Sequence, residues 1–179
     1  MRMKLKKYDV TLFFFIFTPN YAMKYFLIPL MFISLVSCLD DNNANPEPVE
    51  AIDYSAQNEE DIQIYLEEND LQAQTSETGL HYIINEQGTG EQPTSTSDVT
   101  VAYKGYFLNE AVFDESESSG ITFNLQQVIA GWTEGITYFN EGGNGLLLVP
   151  AHLGYGSFDY NGIPGGSVLI FEVNLIDVN

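Results

Sequence analysis

The fold of this chain is decided by the stretch Val128-Ile129-Ala130-Gly131-Trp132-Thr133-Glu134-Gly135. Its apolar residues recur at helical spacing, which predicts a short amphipathic helix lying against a sheet. Gly131 and Gly135 fall inside this pattern, where each costs about 1 kcal/mol relative to alanine, so we expect another element to approach the helix closely there. Trp132 is the only tryptophan of the chain. On these residues alone, an ordinary core helix whose tryptophan only fills space remains open.

Segments with the pattern of β-strands lie on both sides of this helix. In the clearest of them, Val99, Val101, Tyr103, Gly105 and Phe107 alternate with polar or small residues, which predicts a half-buried strand with Tyr103 pointing inward. Several strands around one short helix predict an α+β domain in which a twisted antiparallel sheet wraps round that helix. The other strands are predicted at residues 80–84, 113–114, 121–125, 145–149 and 168–177.

A further helix is predicted before the strands. Ile62, Tyr65, Leu66 and Leu71 recur at roughly helical spacing among acidic residues, so residues 59–71 should form a short helix with one apolar stripe. We expect this stripe to pack against the domain. Residues 56–77 are therefore assigned to a short helical extension and residues 78–179 to the domain itself.

Residues 1–37 are typical of an export signal. Lys24 precedes an apolar run that is about as long as a signal peptide and too short to span a membrane comfortably. A second, weaker basic and apolar pattern lies before Met23, so we expect translation to start at Met23. The sequence Leu35-Val36-Ser37-Cys38 resembles the bacterial lipobox, and Cys38 is the only cysteine. We therefore expect Cys38 to be acylated, and a lone cysteine excludes an intramolecular disulfide.

The part of the chain after the signal is strongly acidic. Residues 38–55 lack hydrophobic periodicity and should form a lipidated N-terminus followed by a flexible acidic linker. From Cys38 onward there are 24 acidic residues and one basic residue, Lys104, which gives a formal charge of −23. Such a surface repels the phosphates of nucleic acids, so we expect no nucleic-acid partner. We expect a lipid-anchored protein of a bacterial cell envelope, in the outer membrane and facing the periplasm or the cell surface.

Six motifs of this chain, in order, resemble the FK506-binding-protein (FKBP) family of peptidyl-prolyl cis-trans isomerases, in its bacterial lipoprotein form. Together they cover roughly residues 78–179. The resemblance implies a highly twisted antiparallel sheet curled round the Trp132 helix, with a shallow aromatic pocket between the two. The motifs are Val101-Ala102-Tyr103-Lys104-Gly105, Val112-Phe113-Asp114, Val128 to Gly135, Leu153-Gly154-Tyr155-Gly156, Ile163-Pro164 and Leu169-Ile170-Phe171-Glu172-Val173.

The resemblance also implies which residues line this pocket. The indole of Trp132 would form the floor, the main-chain N–H of Ile129 and the hydroxyl of Tyr155 would hold substrate carbonyls, and Asp114 would orient Tyr103. Without the resemblance, Asp114 is typical of an ordinary turn carboxylate, and Tyr103 of core packing. The implied catalytic residues are Tyr103, Asp114, Trp132, Tyr155 and Phe171, and the implied substrate-binding residues are Phe113, Ile121, Val128, Ile129 and Ile163.

Such a pocket needs no nucleophile, metal or cofactor for prolyl isomerisation. Rotation about an X-Pro bond faces a barrier of about 18 to 20 kcal/mol because amide resonance must be broken. An apolar cleft that removes water from the carbonyl disfavours the planar amide more than the less polar twisted one, which is catalysis by differential binding. The two histidines do not indicate a metal site, since they lack cysteine partners. We expect His81 on a strand surface and His152 in a turn.

Two functions fit this sequence. The first is a prolyl isomerase that assists the folding of exported or envelope proteins, with proline-containing polypeptides as clients and a pocket that FK506-like inhibitors could enter. The second is a non-catalytic module or chaperone that holds proline-containing segments in a cell-envelope assembly. The chain departs from the family pattern at Glu115-Ser116-Glu117-Ser118, where a basic residue is common, and at residues 158–162, so inhibitor affinity and the preference for the residue before proline stay open.

Overall fold

A computed structural model of the chain describes residues 50–179. The predicted signal peptide, the lipobox with Cys38 and most of the linker lie outside these residues. The elements are α1 at Ser55–Glu68, β1 at Gln74–Thr75, β2 at His81–Glu86, β3 at Asp98–Phe107, β4 at Val112–Glu115, β5 at Ile121–Asn124, α2 at Ala130–Gly135, a 3₁₀ turn at Ile136–Tyr138, β6 at Asn144–Val149, a 3₁₀ turn at Ala151–Leu153, and β7 at Leu169–Val178.

The strands form one antiparallel sheet of seven strands in the order β1-β2-β6-β7-β3-β4, with β5 also paired to β3. The long strands β3 and β7 form its centre, with Gly105 opposite Phe171 and Val99 opposite Val178. The strand β1 was not predicted, since a segment of two residues carries no alternation to detect. The predicted α+β class, with a twisted antiparallel sheet around a short helix, is confirmed.

The helix α2 and the sheet enclose the main hydrophobic core. Trp132 and Ile136 pack against the residues of β6 and β7 that point to the same face, such as Leu147 and Phe171. Leu169 and Phe171 of β7 point into this core, whereas Ile170 between them is buried on the opposite face, in a second cluster. One period-two pattern therefore supplies both faces of the sheet with apolar side chains.

The close approach expected at the helix glycines is present, and β6 is the element that approaches. A Cβ atom at Gly131 would lie 2.6 Å from Cγ1 of Val149, and one at Gly135 would lie 2.7 Å from Cδ2 of Leu147. Neither position has room for a methyl group without movement of a buried side chain. The absence of side chains here lets the short helix lie directly on the sheet.

The helix begins two residues later than the pattern of Val128 and Ile129 indicated. Ile129 is extended, with φ −62° and ψ 150°, and forms the N-cap of α2. Its carbonyl accepts hydrogen bonds from the N–H groups of Trp132 at 2.9 Å and Thr133 at 3.1 Å, which starts the first turn. The side chain of Thr133 donates to the carbonyl of Leu125 at 2.6 Å and so fixes the helix to the segment before it.

The helix α1 covers the opposite face of the sheet. The helix predicted at residues 59–71 is found at Ser55–Glu68, and Ile62 and Leu66 of its apolar stripe are buried. They pack with Leu148 of β6 and Ile170 of β7 in the second cluster. Within the described residues, no helix is both long enough and apolar enough to cross a membrane.

The expectation that His81 lies on a strand surface is wrong. Its side chain is 1% exposed, with Nδ1 3.1 Å from Oγ1 of Thr75 and Nε2 2.9 Å from Oε2 of Glu59. The reason is that His81 pairs with Leu148 and so points to the face that α1 covers. The hydrogen bond with His81 lowers the pKa of the Glu59 carboxyl below its usual range.

Positive charge is almost absent from the described part of the chain. Lys104 lies on the exposed side of β3, opposite Glu172 of β7 and Glu115 of β4, with Nζ 5.9 Å from the centre of the Tyr106 ring. Among residues 50–179, the contact between His81 and Glu59 is the only one within 4.0 Å between a basic and an acidic side chain.

The packing of α2 on β6 predicts that Gly131→Ala destabilises the domain, although alanine is the better helix former. Overpacking costs about 1–3 kcal/mol, and the gain in helix propensity offsets at most about 1 kcal/mol of it. The free energy of unfolding, measured by urea titration, should fall. The double variant Gly131→Ala with Val149→Ala should lose less unfolding free energy than the two single variants lose when their losses are added. The reason is that the valine methyl groups, with which the new Cβ atom clashes, are gone. Strict additivity of the two changes would contradict this packing.

Candidate active site

An open cleft lies between α2 and the sheet. Its volume is about 440 Å³. Aromatic side chains form most of the lining, and Asp114 is its one carboxylate. The lining residues are Tyr103, Asp114, Phe123, Gln127, Val128, Ile129, Trp132, Tyr155, Tyr160 and Phe171.

Trp132 forms the floor of the cleft and is held by three aromatic rings. Tyr103, Phe123 and Phe171 meet it edge to face, with ring centres 5.1, 5.5 and 5.4 Å from its own. The indole is 4% exposed, and its Nε1 has no hydrogen-bond partner within residues 50–179. A buried donor without a partner costs about 1–3 kcal/mol. Edge-to-face packing with electron-rich ring faces offsets part of this cost.

Tyr103 and Asp114 form a hydrogen-bonded pair at one side of the cleft. They come from the neighbouring strands β3 and β4, and the Tyr103 hydroxyl donates to Oδ2 of Asp114 at 2.7 Å. Burial raises the pKa of Tyr103 well above its usual range, and the hydrogen bond to Asp114 raises it further. The hydroxyl therefore stays protonated at neutral pH and keeps donating to the carboxylate, which holds the orientation of both groups.

The residue at the N-terminus of α2, Ile129, contributes a main-chain N–H donor to the cleft. The extended conformation of Ile129 starts the helix, and its N–H donates to no other residue of the described part. Val128 precedes it in the lining. A free N–H beside an apolar floor can bind a carbonyl group of a peptide.

The stacked rings of Tyr155 and Tyr160 form another part of the cleft lining, called the tyrosine wall below. The rings of Tyr155 and Tyr160 are nearly parallel, at 11°, with centres 4.8 Å apart. Tyr155 is 39% and Tyr160 51% exposed, so both present a ring face or edge to solvent at the rim. Burial raises the pKa of Tyr155, which keeps its hydroxyl a donor at neutral pH.

The structure brings most of the expected site residues together. Phe113 lies behind the lining, where its ring meets Phe171 edge to face at 5.6 Å. Ile121, which is 44% exposed on β5, and Ile163, which is 7% exposed in the core, are not among the residues that line the cleft. The expected residues that do line it are Tyr103, Asp114, Val128, Ile129, Trp132, Tyr155 and Phe171.

Three lining residues were not expected from the sequence. Phe123 is the aromatic residue of the strand directly before α2, and this position is a signal that could have indicated it. Gln127 and Tyr160 lie in segments without periodicity, where the sequence carries no signal.

No group of three or more His, Cys, Asp or Glu residues within residues 50–179 could hold a metal ion. His152 is exposed, with Nε2 2.9 Å from the carbonyl oxygen of Thr78.

The sequence and the fold of this chain are similar to those of known proteins. The family model described as FKBP-type peptidyl-prolyl cis-trans isomerase matches residues 89–176. Residues 89–176 of this chain belong to the FKBP family. The protein named FKBP-type peptidyl-prolyl cis-trans isomerase FkpA from Buchnera aphidicola subsp. Schizaphis graminum is 45% identical over 104 residues, which is 56% of this chain and 41% of that protein.

Two similar FKBP proteins have crystal structures. FkpA from Escherichia coli strain K12 is 43% identical over 106 residues, covering 58% of this chain and 39% of that protein. Its crystal structure matches with a TM-score of 0.63 at 39% identity, over 70% of this chain and 61% of that one. The crystal structure of AtFKBP13 matches with a TM-score of 0.56 at 27% identity, over 60% of this chain and 99% of that one. This chain thus spans about two fifths of the length of the FkpA proteins it matches.

The aromatic packing predicts that the FKBP cleft depends on Trp132 for stability as well as for shape. Trp132→Ala should cost about 3–5 kcal/mol in the free energy of unfolding, because it leaves a cavity among three rings. Trp132→Leu should cost less, since the leucine side chain fills part of that space. As a control, Phe158→Ala removes a ring that is 53% exposed, and it should change stability by no more than about 0.5 kcal/mol. Denaturant unfolding followed by circular dichroism measures all three, and a cost for Trp132→Ala as small as that of the control would refute this role.

Proposed function

We propose that this chain is a peptidyl-prolyl cis-trans isomerase that rotates X-Pro bonds in exported or envelope proteins. The observation that carries the proposal is the cleft itself, in which a buried Trp132 floor lies beside the hydrogen-bonded pair of Tyr103 and Asp114. Membership of the FKBP family supports the same activity. Uncatalysed isomerisation takes tens to hundreds of seconds, so a folding chain that waits on it gains from such an enzyme.

The aromatic floor accounts for the acceleration. A proline ring packs on the indole of Trp132 and between the rings of Tyr103 and Phe171, and the preceding carbonyl loses water. A planar amide is more polar than a twisted one, because rotation ends the resonance between nitrogen and carbonyl. The dry cleft therefore lowers the free energy of the twisted amide relative to the planar one.

The polar groups of the lining orient the peptide. The free N–H of Ile129 and the hydroxyl of Tyr155, which both line the cleft, each donate to a substrate carbonyl. Asp114 faces the amide that twists, and its charge strengthens the hydrogen bond that holds Tyr103 in place. Holding the bond in one geometry contributes several kcal/mol beyond desolvation. None of these groups transfers a proton.

The same lining supports binding of FK506-like inhibitors, which we propose as a second property of the cleft. The clients are proline-containing polypeptides. Their site of contact extends from the Trp132 floor to the tyrosine wall, whose Tyr160 is positioned to meet residues beside the proline.

We also propose that the domain works at a bacterial cell envelope, held there by a lipid on Cys38. The sequence Leu35-Val36-Ser37-Cys38 after an apolar run supports this, and the acidic linker that follows gives the domain distance from the anchor. The outer membrane is the proposed membrane, with the domain on its periplasmic or outer side.

The activity is tested with a peptide of the Ala-Leu-Pro-Phe type in a protease-coupled or NMR exchange assay. The parent protein should accelerate isomerisation. Asp114→Asn should lower kcat/KM by about tenfold with an unchanged unfolding midpoint, since it removes charge and keeps volume. The matched control is Glu115→Gln, which removes the exposed carboxylate next to it on β4 and should leave kcat/KM within about twofold.

The outcomes separate the alternatives. A protein that binds the peptide, seen as a change in Trp132 fluorescence, but accelerates nothing is a non-catalytic module. A loss with Asp114→Asn as complete as that of a general acid, about 10²- to 10⁴-fold, would replace the mechanism above with proton donation.

The lipid anchor predicts that Cys38→Ser releases the protein from membranes or leaves it as an unprocessed precursor. Acyl chains on the cysteine hold it with about 0.8 kcal/mol per buried methylene, and serine cannot be acylated in the same way. Fractionation followed by intact-mass spectrometry measures this. An unmodified Cys38 in the membrane fraction would rule out the anchor.

A further inference from the structure

The N-terminal helix α1 holds the loop that forms one wall of the cleft. This loop runs from Ala151 to Gly166 and carries Tyr155 and Tyr160, which both line the cleft. The helix lies before residues 89–176, the part that matches the FKBP family model. The contact is therefore made by a segment outside the matched part of the domain.

One side chain of α1, that of Asn58, connects the two ends of the loop. It is 2% exposed, although asparagine is a poor residue for a helix interior. Its Oδ1 accepts a hydrogen bond from the N–H of Ala151 at 2.8 Å, and its Nδ2 donates to the carbonyl of Gly166 at 2.8 Å. A single amide therefore fixes both ends of the segment between these residues.

The loop continues this connection through its own backbone. The N–H of Gly156 donates to the carbonyl of Ala151 at 2.8 Å, and the N–H of Gly166 donates to the carbonyl of Gly156 at 2.9 Å. With Asn58 these bonds form a closed ring of four residues. Gly156 directly follows Tyr155, so the ring fixes the backbone from which the Tyr155 side chain projects.

The second tyrosine is held by the far part of the same loop. Tyr160 and Ile163 exchange both main-chain hydrogen bonds, at 2.9 and 2.8 Å. Ile163 is 7% exposed and packs into the main core. The stacked Tyr155 and Tyr160 rings are thus supported by the core through Ile163 and by α1 through Asn58.

The ring of Tyr54, the residue directly before α1, packs against Gly166 at the end of the loop. A Cβ atom at Gly166 would lie 2.7 Å from three atoms of the Tyr54 ring, and Gly166 has φ +80°. Glycine suits this position because the aromatic ring covers it and because its backbone is in the left-handed region. Tyr54, just before α1, and Asn58 within α1 therefore both contact this end of the loop.

We propose that Asn58 is a positioning residue for the cleft: it fixes the tyrosine wall, so that α1 is required for substrate binding and turnover as well as for stability. This inference rests on the isomerase function proposed above. It implies that the tyrosine wall becomes mobile when α1 no longer holds the two ends of the loop. Because Tyr155 contacts substrate before and during rotation, loss of the clamp should raise KM more than it lowers kcat.

The test compares Asn58→Ala with Ile62→Val in the full chain. Ile62 lies on the same helix and packs on the sheet, so its change weakens the docking of α1 without removing a bond to the loop. Asn58→Ala should lower kcat/KM on the proline peptide about 10- to 100-fold, mainly through KM, because small displacements of contacting groups have effects of this size. Ile62→Val should stay within about twofold. Both are measured far below the unfolding temperature.

Hydrogen exchange gives a readout that does not depend on activity. In Asn58→Ala the protection of the Gly156 and Gly166 amides should fall by about tenfold or more relative to Ile62→Val, while the β3 and β7 amides stay protected. If the parent protein proves inactive, hydrogen exchange and the peptide Kd from Trp132 fluorescence still test whether Asn58 holds the tyrosine wall in place. Asn58→Asp keeps the acceptor for the N–H of Ala151 and removes the donor to the carbonyl of Gly166. This variant replaces Asn58→Ala in the same measurements if the alanine variant does not fold. Equal protection and equal peptide affinity in the asparagine variants and in Ile62→Val would overturn the proposal.

Discussion

The contact between α2 and β6 is the constraint on which the cleft depends. Because Gly131 and Gly135 carry no side chains, the helix rests directly on Val149 and Leu147. At this separation Trp132 reaches the rings that project from β3 and β7. A helix raised by one methyl group would move Trp132 toward the outer limit of edge-to-face contact, which is a ring separation of about 7 Å, and would weaken this packing. The site is therefore a result of helix-to-sheet packing before any polar group contributes.

The parts of the fold that follow from periodicity were predictable. Alternation placed the long strands correctly, and the cost of two glycines within a helix indicated a close approach before its partner was known. The site residues Tyr103 and Asp114 were predicted only from the resemblance to the FKBP family. A tyrosine in one strand and an aspartate in another carry no local sequence signal of their 2.7 Å hydrogen bond.

The remaining features depend on tertiary contacts that local sequence does not encode. His81 is buried because α1 covers its face, and nothing in the strand itself indicates a covering helix. Asn58 looks like one more polar residue on an acidic helix, yet its partners are 93 and 108 positions away. Tyr160 lies in an irregular loop whose path is set by hydrogen bonds between main-chain groups. In each case the partner lies far along the chain, beyond the reach of propensity and pattern.

The scarcity of basic residues has a consequence for resistance to proteolysis. From Cys38 onward, Lys104 is the only residue after which a trypsin-like protease cuts. It lies within β3, which is hydrogen-bonded to β7 on one side and to β4 on the other. A protease needs an extended, unpaired segment, so this bond becomes accessible only when the centre of the sheet opens. A domain outside the cytoplasm would thus meet one large class of digestive enzymes with a single cleavage site, protected by the strongest part of its fold.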